Sequence, residues 1–586
     1  MKYDLFENSM NDNSNDEISE IILNIVTNIF NKEKEVTNKI FQFSKKQNLL
    51  PYLFQTLYNI KDKTKYSKSK NLILKEITPI IPSSNQFLNE YILNEIILNK
   101  KETKIENLIY IYRLLIKLTN SESNYDLIKK GLDIIINNDL KQKPKNYDSN
   151  FYLYHFTIFR YLIHIFNIFD INFISYFNDF IPIFIDGMRI NNNENENILT
   201  KENKEIILDN LNNLTKGNLC GYLSPFLNDF IDVITNLPFE ENNNEIIKNL
   251  LREIAKKTEF DSSFDSIKFN SKKQMNSLIL YFFNSIILNA DKIVIVDTYM
   301  DLIKFFTEIL KSSQKNLTDI QMCLKTLILK MNEKQLKKIF EFLLEYLNER
   351  NDYKEYKITN SIIVFQIFNT LLNIIRDIFI NNYYPKYKKT QIELINLSNA
   401  SIFKKKSTPI KLNKKHERQD DESDINEEFS YLKLSTLLIE NIKLNFKYSK
   451  GELISEIIEE LFDPIIEQFK LNGNEKEMND YYENSIKDCV YEMFLNIKSD
   501  DQFKEFNDEL LNLSREENYI SRYLLIKMIL YLFENIKERY LTLVSDIVPS
   551  IVDLLEDSNE IVQKETINLI NYIEKITGES YQSYLE

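Results

Sequence analysis

The amino-acid sequence predicts an all-α fold of stacked helix hairpins, and three observations support this prediction. The 586 residues include only 7 glycines and 11 prolines, far fewer than the turns of a large β-protein or an α/β enzyme require. Apolar residues recur at helical spacing along the chain. The helical segments are about 15–20 residues long with only a few polar residues between them, which favours antiparallel packing of successive helices.

The end of the chain shows this periodicity most clearly. Three successive segments each place apolar residues on one helix face. These residues are Ile520, Leu524, Met528, Tyr531 and Leu532 in the first segment, Tyr540, Leu543, Val544, Ile547, Ile551 and Leu554 in the second, and Val562, Leu569, Ile570, Ile573 and Ile576 in the third. We therefore predict consecutive helices joined by short turns.

Two distant stretches repeat one motif. FNDFIPIFIDGM at 177–188 and VSDIVPSIVDLL at 544–555 share an aspartate, a proline, an apolar run and a second aspartate, and ELFDPIIEQF at 460–469 is a looser relative. Proline fits the first turn of a helix or makes a local kink, and an aspartate three residues earlier can cap that turn. Helix pairs of about 40–47 residues that stack on their neighbours are typical of HEAT repeats. The predicted fold class is all-α, with HEAT-like helical-hairpin repeats forming an α-solenoid of about a dozen repeats.

The last helix pair follows the HEAT pattern with two departures. A proline, an apolar first helix, an aspartate-containing turn and an apolar start of the second helix occur in order in PSIVDLLEDSNEIVQKETINLI. Gln563 replaces the usual arginine, and Thr566 replaces the usual small alanine. Arg522 keeps the basic residue in the preceding pair.

The net charge and the cysteines exclude several classes of protein. The formal net charge is −14, so nucleic acid is not bound by the surface as a whole, and any such contact needs a local patch. Cys220, Cys323 and Cys489 fit no metal or redox spacing, and we interpret them as small buried hydrophobes in a reducing compartment. The most apolar region, 151–188, is interrupted by charged residues and offers no clean membrane span. We expect a pair of buried helices there, in a soluble intracellular protein.

Four regions are predicted along the chain. They are a disordered acidic tail at 1–17, HEAT-like helical repeats at 18–402, a charged linker at 403–428 and C-terminal HEAT repeats at 429–586. The linker has few apolar residues and changes from basic to acidic midway, which is typical of a solvated connection.

The basic half of the predicted linker resembles a nuclear-localisation signal or a patch for an anionic partner. Its residues are Lys404, Lys405, Lys406, Lys411, Lys414, Lys415 and Arg418. Chance clustering in a lysine-rich sequence is an equally good explanation.

The sequence shows no pattern of catalytic, cofactor-binding or metal-binding residues. His155 and His164 are nine residues apart, unlike a helical metal pair, and fit core or semi-buried histidines better, while His416 lies in the linker. Gly217 and Gly221 lack the Lys-Ser/Thr of a phosphate loop. The acid runs Glu456, Glu459 and Glu460, and Asp420, Asp421 and Glu422, fit a helix surface and the linker. The sequence therefore predicts that the chain is not an enzyme and needs no cofactor.

The end of the chain also carries a specific resemblance. Its features are Arg522, the Lys-Glu-Arg-Tyr run at 537–540, Pro549 followed by Leu554, Leu555, Glu556 and Asp557, and a closing Gly578-Glu579 with Tyr584. In this order they resemble the C-terminal end of the HEAT repeat-containing protein 1 family, known in fungi as U-three small nucleolar RNA-associated protein ten. Residues 324–347 resemble part of that family's C-terminal domain, for which we predict the range 317–400. The tryptophan usual after that segment is missing, and the family's proteins are typically much longer.

The resemblance implies a non-enzymatic scaffold of the small-subunit processome, in the nucleus and nucleolus. Its role would be in processing the precursor of small-subunit ribosomal RNA and in supporting ribosomal RNA transcription. The implied partners are other processome proteins, with U-three snoRNA and the pre-rRNA particle contacted chiefly through them, and neither a membrane nor a small-molecule substrate is expected. The alternative is a HEAT-repeat adaptor in nuclear transport or phosphatase scaffolding, because fold alone does not identify partners.

Overall fold

The computed structural model describes most of the chain from residue 86 onward. The described ranges are 86–98, 105–140, 149–189, 200–237, 244–312, 316–348, 354–401, 417–449, 452–471 and 473–580. Within these ranges the regular structure is entirely helical, and no strand occurs. The predicted tail at 1–17 lies outside them. The chain divides into two compact units, Met1–Asn289 and Ala290–Glu586.

The first unit contains ten described α-helices. They are α1 Gln86–Tyr91, α2 Ile105–Leu118, α3 Tyr125–Ile134, α4 Ser149–Phe169, α5 Ile174–Met188, α6 Lys201–Lys216, α7 Leu227–Thr235, α8 Asn244–Lys257, α9 Phe260–Lys273 and α10 Ser277–Asn289. Most connections between them are short, so neighbouring helices pack in antiparallel pairs.

Helices α4 and α5 are the buried pair predicted for the most apolar region. Phe159 of α4 meets Phe184 of α5 edge to face, with ring centroids 5.2 Å apart, the arrangement that aromatic rings prefer. Phe166 and Phe177 pack in the same way at 5.7 Å, and all four rings are buried. The prediction of two buried helices is confirmed.

The second unit contains thirteen described α-helices. They are α11 Lys292–Ser312, α12 Leu317–Ile328, α13 Glu333–Asn348, α14 Lys354–Ser401, α15 Glu417–Tyr448, α16 Glu452–Ile466, α17 Glu475–Tyr481, α18 Lys487–Asn496, α19 Asp500–Leu511, α20 Tyr519–Ile536, α21 Glu538–Leu541, α22 Val544–Val552 and α23 Glu560–Thr577. Helix α15 begins inside the range predicted as a linker, whose residues 403–416 lie outside the described ranges. The regional boundaries stay predictions.

Helix α14 is bent at Arg376, whose φ of 48° and ψ of −123° are non-helical. Both of its arms contact α15, since Asn369 donates to the Leu437 carbonyl and Gln391 donates to Asn441. Among the described residues, Lys357–Asn399 of α14 is long and apolar enough to cross a membrane by length and composition, but 78% of its most apolar window is buried inside the protein. Helix α14 is therefore buried to the extent expected of a helix in a protein core.

Polar contacts recur at a nearly constant sequence separation in both units. Lys257 and Asn270 donate to the Thr215 and Asn228 carbonyls, each 42 residues earlier, and those bonds are 2.7 and 3.1 Å long. In the second unit Lys527 reaches Glu483, 44 residues earlier, at 2.6 Å. Such a separation matches the HEAT period of about 40–47 residues. The predicted fold class, HEAT-like helical-hairpin repeats forming an α-solenoid, is confirmed.

The structure distinguishes between the two roles expected for the repeat prolines, the first turn of a helix or a local kink within one. Pro182, Pro464 and Pro549 lie inside α5, α16 and α22 rather than in their first turns. Helix α22 begins at Val544, so Asp546 lies in its first turn and does not cap it. A carboxylate there still interacts favourably with the helix dipole.

Replacement of Lys537 by glycine should stabilise the protein. Lys537 has φ 55° and ψ −121° between α20 and α21, a left-handed conformation that costs an L-residue about 1 kcal/mol or more. We expect Lys537→Gly to raise the free energy of unfolding by about 1 kcal/mol in urea titrations. Lys537→Ala is the control, because its Cβ keeps the strain. Equal stability of the glycine and alanine variants would contradict the argument.

Candidate interaction surface

The side chains of the predicted basic patch all lie outside the described part of the structure. Lys404, Lys405, Lys406, Lys411, Lys414 and Lys415 lie outside the described ranges, and Arg418 is described only as a backbone position in α15. His416 also lies outside them. The nuclear-localisation or anionic-partner role of this patch stays a prediction.

The residues of the C-terminal resemblance fall in one repeat and its predecessor. Pro549 is exposed in α22, Leu554 is buried, Leu555 is half-buried and Glu556 is exposed in the 3-10 turn that follows. Gly578 ends α23 with φ 74°, the left-handed conformation that favours glycine at a helix end. Glu579 is exposed just after it, and Tyr584 lies outside the described residues.

Arg522 and Asp557 form a buried, bidentate ion pair between two consecutive repeats. Arg522 Nε donates to Asp557 Oδ2 at 2.6 Å and its Nη2 donates to Oδ1 at 2.8 Å. The two side chains are only 11% and 4% exposed. The remaining guanidinium nitrogen, Nη1, donates to the carbonyls of Glu516 and Glu517 at 2.6 and 3.0 Å. The planar Arg522 guanidinium therefore holds helix α20 against the turn that precedes α23.

Asp557 also organises the turn itself. Its Oδ1 accepts from the Asn559 backbone amide at 2.9 Å, and its carbonyl accepts from Gln563 Nε2 at 2.6 Å. Gln563, the residue that replaces the usual arginine, therefore closes the turn within its own repeat. Thr566 is fully buried, and its hydroxyl donates to the Val562 carbonyl at 2.8 Å.

The stability supplied by Asp557 should depend on pH. Burial raises the pKa of this carboxyl, but hydrogen bonds from Arg522 and the Asn559 amide outweigh it, so the pKa lies below its ordinary value. A depressed folded-state pKa gives stability that is present above the unfolded pKa of about 3.9 and is lost as the pH falls through the folded pKa. In urea titrations at several pH values, we expect Asp557→Asn to be less stable than wild type at pH 6. That gap should close below about pH 4, and a gap independent of pH would contradict the assignment.

A second feature is an acidic face on the first helices of the C-terminal repeats. We define it by nine carboxylates that are exposed or half-exposed on α16, α19 and α22: Glu456, Glu459, Glu460, Asp463, Asp501, Glu505, Asp508, Glu509 and Asp546. Cross-helix contacts show that the three helices present them side by side, since Gln502 of α19 donates to Glu459 at 2.6 Å and Lys504 lies 3.2 Å from Asp546.

Two lysines among the described residues pair with carboxylates of the acidic face. Lys388 of α14 bridges Glu456 and Glu460 at 2.7 and 2.9 Å, and Lys504 pairs with Asp546. Burial, then repulsion from Asp463 and Glu505, raises the pKa of Glu509 above its ordinary value. The remaining carboxylates therefore give this surface a negative potential suited to a cationic partner.

A shallow, open depression of about 400 Å³ lies on the α19 part of the acidic face. It is lined by Asp501, Lys504, Glu505, Asp508, Glu509 and Asn512, all on α19 or the turn after it. Glu456, Glu459 and Glu460 are exposed on α16, in agreement with the prediction of a helix surface. The α19 acids were not predicted as part of a site, although the spacing of Asp501, Glu505 and Asp508 places them on one helix face.

The two described histidines are half-buried, and the three cysteines lie in the core. His155 and His164 are half-buried in α4; burial lowers the pKa of His155 to about 4 and also lowers that of His164, whose Nε2 lies 3.0 Å from the Thr119 carbonyl. Cys220, Cys323 and Cys489 are buried, as predicted, and burial raises the pKa of Cys220 to about 12. Among the described residues no group of three or more His, Cys, Asp or Glu could hold a metal ion.

The described residues thus define a helical-hairpin repeat protein that carries a strongly acidic face. No protein-family model matches the chain. Part of it is similar to HEAT repeat-containing protein 1 of Danio rerio, with 26% identity over 141 residues, 24% of this chain and 6% of the relative. U3 small nucleolar RNA-associated protein 10 of Debaryomyces hansenii is 24% identical over 162 residues, 26% of this chain and 8% of the relative. The resemblance to this family is confirmed.

These similarities cover a small part of each protein. An uncharacterized protein of Arabidopsis thaliana is 31% identical over 106 residues, 18% of this chain and 5% of the relative. The chain matches 5% to 8% of the length of these three relatives.

Among solved structures, Kap121p bound to RanGTP has a TM-score of 0.42 at 12% identity, covering 97% of this chain and 54% of that chain. Importin beta in an ammonium sulfate condition has a TM-score of 0.37 at 8% identity, covering 94% and 71%.

Proposed function

We propose that the protein is a non-enzymatic scaffold of the small-subunit processome that acts in ribosomal RNA precursor processing and small ribosomal subunit biogenesis. The observation that carries this proposal is the similarity to HEAT repeat-containing protein 1 and to U3 small nucleolar RNA-associated protein 10. The repeat fold supports it, because stacked helix pairs present long surfaces to large partners. The proposal includes a nucleolar location and support of ribosomal RNA transcription.

The acidic face is the proposed docking surface for basic processome proteins. Exposed carboxylates on three adjacent helices attract cationic partners and repel RNA, whose phosphates are negative. U3 snoRNA and the pre-rRNA are therefore contacted chiefly through other proteins. The proposed regions are those of the sequence, with repeats at 18–402, a linker at 403–428 and repeats at 429–586.

The test is recovery of particles with tagged full-length protein. Wild-type protein is expected to sediment with pre-ribosomal particles and to recover U3 snoRNA. A variant carrying Asp501→Lys, Glu505→Lys and Asp508→Lys is expected to lose most of this recovery. Reversal of the exposed α11 acids Asp297, Asp301 and Glu308 is the control with the same change of charge.

The outcomes distinguish the docking role of the acidic face from the processome role of the whole protein. Equal recovery by both variants would refute the docking role of the acidic face. Recovery of a small GTPase or a phosphatase subunit by wild-type protein, without U3 snoRNA, would refute the processome role and favour a transport or phosphatase adaptor.

A further inference from the structure

The core between α14 and α15 contains an unusually polar cluster, which we name the Asn441 node. Its members are Asn369, Tyr387, Gln391, Asn441 and Asn445. Asn369 is 6% exposed and the other four side chains are completely buried. Apolar residues fill most of the surrounding core, so five polar side chains at one place require an explanation from their hydrogen bonds.

Asn441 is the centre of the node and links both arms of the bent helix α14. Its Nδ2 donates to Asn369 Oδ1 in the first arm at 2.7 Å. Its Oδ1 lies 3.1 Å from the Tyr387 hydroxyl and 2.9 Å from Gln391 Nε2, both in the second arm. Asn445 Nδ2, one turn along α15, approaches the same oxygen at 3.2 Å.

Donors and acceptors do not balance within the node. Three donors converge on Asn441 Oδ1, but a carbonyl oxygen has only two lone pairs. Gln391 Oε1 and Asn445 Oδ1 are buried and find no hydrogen-bond partner among the described residues. Rotation of the Gln391 amide would bring its oxygen against that of Asn441, so it would not remove the mismatch.

Other polar groups on α14 and just after the end of α15 also lack hydrogen-bond partners. The Tyr384 hydroxyl, both amide atoms of Gln366 and the Ser449 hydroxyl are buried without a partner among the described residues. The Tyr384 and Tyr387 rings are 5.4 Å apart, so one of these groups adjoins the node. An unpaired buried polar atom costs about 1–3 kcal/mol, which makes this set expensive unless a small polar ligand satisfies it.

We propose that the Asn441 node is an internal water-binding site. A water molecule can donate to Gln391 Oε1 and Asn445 Oδ1 and accept the donor that Asn441 Oδ1 cannot hold. Buried waters typically make about three hydrogen bonds to otherwise unsatisfied groups, which is the number missing here. The bound water completes the polar connection between α15 and the two arms of α14.

Magnetic relaxation dispersion of ¹⁷O water on the full-length protein tests the proposal, because it counts internal water molecules with long residence times. A Gln391→Met, Asn445→Leu double variant removes the two unpaired acceptors while keeping similar volumes. We expect it to lose the dispersion amplitude of at least one water per chain. Thr566→Val is the control, since it removes a buried hydroxyl whose donor is already paired. An amplitude equal to wild type in a folded double variant would overturn the proposal.

A crystal structure of the wild-type chain gives a second test if the double variant does not fold. We expect electron density for a water within hydrogen-bond distance of Gln391 Oε1 and Asn445 Oδ1. Direct pairing of these oxygens with protein donors, or their proximity with no density between them, would overturn the proposal.

Discussion

The Arg522→Met variant should lose about 3–5 kcal/mol of unfolding free energy, the usual effect of removing one partner from a buried ion pair. Asp557 would remain buried as an uncompensated charge, because its side chain is only 4% exposed. The carbonyls of Glu516 and Glu517 would lose their guanidinium donor as well. Urea unfolding followed by circular dichroism measures the difference.

An exposed ion pair provides the control for Arg522. Arg160 pairs with Asp209 at 3.0 Å, with side chains 40% and 46% exposed. Exposed pairs contribute about 1 kcal/mol or less, so Arg160→Met should be nearly neutral. A loss for Arg522→Met that is no larger than that for Arg160→Met would contradict the structural role of the buried pair.

The Tyr540→Ala variant should have a comparable effect. Tyr540 is completely buried and packs edge to face against Phe533, with ring centroids 4.8 Å apart, and against Phe494 at 6.1 Å. Its hydroxyl donates to Asn507 Oδ1 at 2.8 Å. Loss of a large buried aromatic side chain typically costs about 3–5 kcal/mol, again measured by urea unfolding.

Tyr540→Phe separates packing from hydrogen bonding at the same position. It keeps the ring contacts and leaves Asn507 Oδ1 without its donor, for an expected loss of about 1–3 kcal/mol. If the phenylalanine variant were as unstable as the alanine variant, the hydrogen bond rather than the ring would dominate.

Local sequence patterns predicted much of the fold because helical burial is periodic. Ile547, Ile551 and Leu554 share a face by spacing, and all three are buried. The bend of α14 could not be predicted in this way, because neither glycine nor proline marks Arg376, and tertiary packing on α15 holds its unusual conformation. The start of helix α22 at Val544 could not be predicted from a capping residue either, because Leu543 before it provides no side-chain cap.

The acidic face and the Arg522–Asp557 pair both depend on which helices lie side by side. Local sequence patterns do not predict which helices are neighbours. Helical spacing alone could have grouped Asp501, Glu505 and Asp508, but their proximity to Glu459 and Asp546 follows only from repeat stacking. The resemblance singled out Arg522 and Asp557 separately. Their pairing across 35 residues appears only once consecutive repeats are packed.

Depletion of the protein, followed by analysis of ribosomal RNA precursors, tests the processome assignment most directly. Unprocessed precursors of small-subunit ribosomal RNA are expected to accumulate, and the mature small-subunit RNA is expected to fall relative to the large-subunit RNA. Expression of the full-length chain should restore processing. Unchanged small-subunit precursors after effective depletion would contradict a role as a processome scaffold.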